Sequence, residues 1–92
     1  MHVVHDPDAE QYVVFEGEDM LGYAVYDLAG PTMRILHAEV PASKRGKGLG
    51  GVVTRAVLDE IRTGSQYRVL ALCPYVASFI RKNPEYEDLT TR

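Results

Sequence analysis

The chain has 92 residues, 46% apolar and 25% charged, which is the composition of one globular domain with little room for a second lobe or an elaborate lid. Thirteen acidic residues against ten basic ones leave a net charge of −3, which argues against a general nucleic-acid binder and makes any cluster of cations a local feature. One cysteine, Cys73, excludes an intramolecular disulfide; with no leader pattern and no apolar run of about 20 residues, a cytoplasmic protein without a membrane partner is expected.

The first ten residues carry His2 and His5 without a companion ligand pattern, so no metal is expected and the segment reads as a mobile terminus. Gln11–Glu16 is apolar and β-branched and predicts a strand, followed by a turn at Gly17-Glu18-Asp19. Residues 20–28 alternate, with Leu21, Tyr23 and Val25 on one face and Gly22, Ala24 and Tyr26 on the other. Gly30-Pro31 breaks the chain. Residues 32–40 alternate again, Met33, Ile35, His37 and Glu39 against Leu36, Ala38 and Val40, so three strands on short turns predict an antiparallel meander.

Pro41 ends the third strand. Apolar residues at 49, 52, 53, 56, 57 and 61 have helical spacing and predict a helix over 49–62, with Arg55, Asp59, Glu60 and Arg62 on its solvent face and Gly64 stopping it. Residues 68–72 form a short apolar strand running into Cys73-Pro74. A second helix is expected over 75–82, with Val76, Phe79 and Ile80 inward, ended by Asn83-Pro84. The last residues are expected to be ordered only in part. The order is β-β-β-α-β-α. The third strand, first helix and fourth strand form a crossover, which makes those two strands parallel neighbours. Ligands in such sheets gather beyond the carboxyl ends of the strands, where Glu39, the turn 45–51 and Cys73 all fall.

That turn, Arg45-Gly46-Lys47-Gly48-Leu49-Gly50-Gly51, sits between a strand and a helix and has the makings of a phosphate cradle. The bland alternative is a flexible helix entry with solvated cations. A Walker A loop needs Ser or Thr after Gly46-Lys47, and Gly48 stands there. A Rossmann fingerprint is formally met by Gly46, Gly48 and Gly51, but the next strand ends in Cys73-Pro74 with no acid for a ribose. The third template, Arg/Gln-x-x-Gly-x-Gly/Ala, is met by Arg45, Gly48 and Gly50.

On this motif the chain resembles the GCN5-related N-acetyltransferases. Residues 37–51, Cys73-Pro74-Tyr75-Val76 and Asn83-Pro84-Glu85-Tyr86 resemble the small, single-domain YjdJ-type members over most of the chain. The resemblance implies an α+β fold (α/β three-layer): a mixed sheet in which the β-β-β meander is followed by α-β-α, with parallel strands splayed at an acetyl-CoA site. It implies acetyl-CoA, or coenzyme A, as cosubstrate, with its pyrophosphate on the N–H groups around Arg45, Gly46, Lys47, Gly48, Leu49 and Gly50, and with Lys44 also binding the cofactor. The pantetheine arm would pair with the backbone around Ala38 and Val40, Cys73 would lie beside the thioester, and Phe79 would contact the cofactor or else pack. The family's tyrosines of the last helix point to Tyr75 as proton donor to the leaving thiolate.

The residues add their own chemistry. Glu39, at the strand end, is the candidate base, acting through water, or else a solvated carboxylate. His37 shares its face and can relay a proton, or else is a half-buried strand histidine. Cys73 precedes a helix start, which favours a thiolate; it can take the acetyl group, line the pocket, or simply pack as a small hydrophobe. The expected function is acetyl transfer to an amine, whether protein lysine, polyamine or small metabolite, by a monomer or weak dimer. The alternative is an acyl-CoA-binding module or sensor with weak or no catalysis, which the shortness of the chain favours.

Overall fold

Alternating apolar residues and tight turns fold the first half of the chain into four antiparallel strands. The computed structural model describes residues 1–92. It contains β1 (His2–Asp6), β2 (Gln11–Glu16), β3 (Asp19–Ala29), β4 (Thr32–Glu39), α1 (Leu49–Gly64), β5 (Arg68–Ala71) and α2 (Pro74–Lys82), with 3-10 turns at Ala42–Lys44 and Pro84–Thr90. The sheet runs in chain order, β1 to β5, and only β4 and β5 are parallel.

The N-terminus is therefore a strand and not a mobile segment. β1 pairs with β2 from His2↔Phe15 to Asp6↔Gln11, His2 stacks on Phe15, and His5 stacks on Tyr12 at 4.2 Å while its Nε2 meets the Tyr26 hydroxyl at 2.5 Å. The stretch His-Val-Val-His-Asp has no apolar alternation of its own, so only its partners reveal it.

Tyr12, Val14, Ala24, Tyr26, Met33 and Ile35 line the sheet face that meets both helices, and they form one core with Val53, Val57, Leu58, Ile61, Val76 and Ile80. Both helices lie on that face, and the mixed α+β arrangement is the expected one. The outward Leu70 and Leu72 are 46% and 48% exposed. The buried stripe of α1 is Val53, Thr54, Val57, Leu58 and Ile61, whereas Val52 points outward, and the helix runs through Gly64 to cap at Ser65.

The C-terminal residues are ordered by cations of α1 that the helical pattern assigned to solvent. Tyr86 and Leu89 are buried in the core. Arg55 donates to Glu85, Tyr86 and Asn83, Arg62 pairs with Asp88, and the Tyr86 hydroxyl donates to Asp59 at 2.7 Å. Arg92 then donates to the carbonyls of Ile61 and Ser65, capping the end of α1.

Candidate active site

β4 makes the site by leaving its neighbour. Its pairing with β5 ends at Ile35↔Ala71, and the amides of Leu72 and Cys73 both donate to Ile35 O before the chain turns into α2. Beyond that point β4 keeps only β3, through Val25↔His37, Ala24↔Ala38 and Tyr23↔Glu39. Its other edge has no strand partner over the last residues.

A β-bulge falls at the same place. Val25 pairs with His37 and Tyr26 with Ile35, so Leu36 is the extra residue. The bulge reverses the facing of the residues after it. Met33 and Ile35 point into the core, His37 and Glu39 point to the outer face, and Ala38 and Val40 pack inward. His37 and Glu39 thus share a face with each other but not with Met33 and Ile35.

The Gly-rich turn sits against this open edge. Gly46 and Gly48 have φ of +83° and +73°, a backbone shape that side chains resist. Gly48 is the N-cap of α1; no side chain caps the helix and no acid lies in its first turn, so bare N–H groups and the positive end of the dipole face the turn. Lys47 stands exposed, while Lys44 Nζ is tied to Asp19 at 2.6 Å. Between β4 and the helices lies a cavity of about 290 Å³, lined by Ala38, Glu39 and Val40 of β4, Arg45 of the turn, Gly50, Val53 and Thr54 of α1, and Tyr75 of α2. The Tyr75 hydroxyl lies over the first turn of α1, where a Cβ on Gly50 would come within 2.8 Å of it. These features suit an extended ligand with an anion at one end: bare amides for the anion and an unpaired strand edge for an amide-bearing arm.

Glu39 joins the cavity to the outer face. One carboxylate oxygen accepts from Arg45 Nη2 at 2.8 Å, and Arg45 Nε donates to Val40 O at 3.1 Å. The other oxygen meets His37 Nε2 at 2.8 Å and accepts from the Tyr23 hydroxyl at 3.1 Å. These contacts, the His37 bond foremost, hold the Glu39 carboxyl below the ordinary carboxylate range, while Glu39 in turn pushes the Tyr23 phenol up.

The profile of the GCN5-related N-acetyl-transferases matches residues 11–89. The chain belongs to the GCN5-related N-acetyltransferase family. Its fold is similar to the NMR solution structure of a GCN5-like protein from Staphylococcus aureus, with TM-score 0.67 at 19% identity over 96% of this chain and 85% of that one. No protein of curated function matches it.

In this family member the sequence-expected site residues divide into two groups. Ala38, Glu39, Val40, Arg45, Gly50 and Tyr75 meet at the cavity, with His37 one hydrogen bond away, Gly46, Lys47, Gly48 and Leu49 in the adjoining turn, and Lys44 just before it, paired with Asp19. Cys73 and Phe79 stand apart from the cavity lining. Cys73 is buried in the core as N-cap of α2, and the Phe79 ring lies under the Arg55 guanidinium at 5.5 Å. Tyr23 and the buried Thr54, whose hydroxyl donates to Gly50 O at 2.8 Å, belong to the site but escape the sequence reading. Counted along a straight ladder from Ala29↔Thr32, Tyr23 would oppose Ala38; the bulge at Leu36 brings it to Glu39.

Proposed function

We propose that this chain is an acetyl-CoA-dependent N-acetyltransferase. The observation that carries the reading is the meeting, at the splayed edge of β4, of an anion cradle, a cavity and the Glu39–His37 pair. The bare amides at residues 45–50 would take the pyrophosphate and the free edge at Ala38 and Val40 the pantetheine arm. Acetyl-CoA supplies an activated acetyl group there. Glu39, with its pKa depressed and both oxygens engaged, is a better orienter than a base. His37, held through Nε2, takes the proton of the attacking amine, and imidazole is the side chain suited to proton transfer near neutral pH. The Tyr75 hydroxyl on the far side of the cavity protonates the departing sulfur. The acceptor is an amine reached from the outer sheet face, where His37 is exposed.

Coenzyme A at about 100 times its dissociation constant should stabilise the protein by roughly 2.7 kcal/mol. Gly48→Glu, which places bulk and negative charge at a left-handed N-cap, should abolish the thermal shift when the variant is compared with itself with and without ligand. Equal shifts in variant and wild type would displace the cofactor from this turn. A mass gain of one acetyl group on members of an amine panel distinguishes the enzyme from a binding module, which would bind coenzyme A and yield no acetylated product.

A further inference from the structure

The two groups that share Glu39 with His37 come from very different supports. Tyr23 is its cross-strand neighbour on β3 and is placed by sheet register. The backbone there is tightly packed: a Cβ on the preceding Gly22 would lie 2.7 Å from Glu39 O and 2.8 Å from a methyl of Val53, so β3, β4 and α1 approach one another closely at this point. Arg45 reaches the other carboxylate oxygen from the turn before α1, and its side chain is 59% exposed. It is also the first residue of the Gly-rich arrangement that ends at the bare N-terminus of α1. A guanidinium binds a diphosphate through paired hydrogen bonds at least as readily as a single carboxylate oxygen. Arg45 therefore has two anionic claimants, and Tyr23 has one.

We propose that Tyr23 is the positioning residue that keeps Glu39 docked on His37 when the cofactor's pyrophosphate draws Arg45 off the carboxylate. The proposal rests on the reading of residues 45–50 as the pyrophosphate site. Tyr23, His37 and Arg45 are the titratable or charged groups that hydrogen-bond the Glu39 carboxylate. With Arg45 gone, one carboxylate oxygen loses its partner and the other keeps two. The carboxylate, no longer neutralised by a guanidinium, then acts more strongly on the imidazole that Glu39 orients, so the base is completed only once the acetyl donor is in place. Without the Tyr23 hydroxyl, the carboxylate would be free to rotate away from His37 at that moment.

Ring ¹⁵N resonances of His37 report whether Nε2 remains bonded to the carboxylate, and they need no acceptor and no turnover. Without ligand, Tyr23→Phe and Arg45→Met should each keep the bonded signature, and the double variant should lose it. With saturating coenzyme A, wild type should keep it and Tyr23→Phe should lose it. Retention of the signature in the double variant, or in Tyr23→Phe with coenzyme A bound, would overturn the role of Tyr23. The double variant decides that role without any cofactor. Separately, if coenzyme A leaves the amide resonances of Gly48, Gly50 and Gly51 unmoved in wild type, the pyrophosphate reading fails, and the coupling to Arg45 with it.

Discussion

Glu39 shows how far neighbours redirect a single residue. As a strand-end carboxylate it reads as a base; with His37, Tyr23 and Arg45 around it, its pKa is lowered, which supports the proposed role of orienting His37. In the proposed mechanism it holds His37. His37→Gln and Glu39→Gln should each lower kcat/KM by about 10²-fold, and the loss should shrink as the pH rises towards that at which the amine acceptor is itself neutral. A deficit of the same size at every pH would make the pair structural. Cys73 moves the other way. It caps α2 from within the core and lies off the cavity, so Cys73→Ala should cost about 1 kcal/mol of stability while activity stays within about tenfold of wild type. An acetyl adduct on Cys73 by intact mass, with turnover lost in the alanine variant, would instead establish transfer through the thiol.

At the scale of elements, two irregularities build the site. The bulge at Leu36 turns His37 and Glu39 outward, and the parting of β4 from β5 after Ile35 opens an edge beside the N-terminus of α1. Both are cross-strand properties with no signature in the alternation of residues 32–40, which predicts one uninterrupted face. The turn and the helix after it are different. Glycine, cation and helical spacing are local properties, and the expected start at Leu49 matches the structure. Gly22 ties these elements together. Gly22→Ala should destabilise the fold by roughly 1–3 kcal/mol, because the new methyl meets backbone on one side and Val53 on the other. Thermal denaturation checks this, and a variant as stable as wild type would show that β3 can retreat from α1.

Across the whole molecule, one sheet face carries the core and the other is left without helices, with the C-terminus bound back onto α1 by ion pairs. Arg34 holds the Asp27 carboxyl down, Arg62 does the same for Asp88, and Glu85 is lowered by its own backbone hydrogen bond first and Arg55 next. A carboxylate with a depressed folded-state pKa contributes stability above its unfolded value and loses that contribution as the pH falls through the folded one. Stability should therefore decline below about pH 4, with the C-terminal strap loosening in that range. At the other end, burial pushes the Tyr12 phenol up to about 12 from 10.0. That contribution is present below the unfolded value and lost as the pH rises through the folded one, so the alkaline decline should fall between about pH 10 and 12. Denaturant midpoints across pH test both limbs; a flat profile below pH 4 would show that the acidic pairs contribute nothing.

By itself the sequence determined what is encoded in near neighbours. The strands from Gln11 onward, both helices, the crossover and the Arg45–Gly48–Gly50 turn each arise from spacing over a few residues, and the family is legible in motifs that stand in order. The tertiary structure alone decided what depends on distant partners. The strand at His2–Asp6 exists because β2 offers an edge, and the C-terminal turn exists because Arg55 and Arg62 of α1 reach across to it while Arg92 reaches back from its end to α1. Tyr23 joins Glu39 because one unpaired residue in β4 shifts the register by one, and a shift of one changes every partner beyond it.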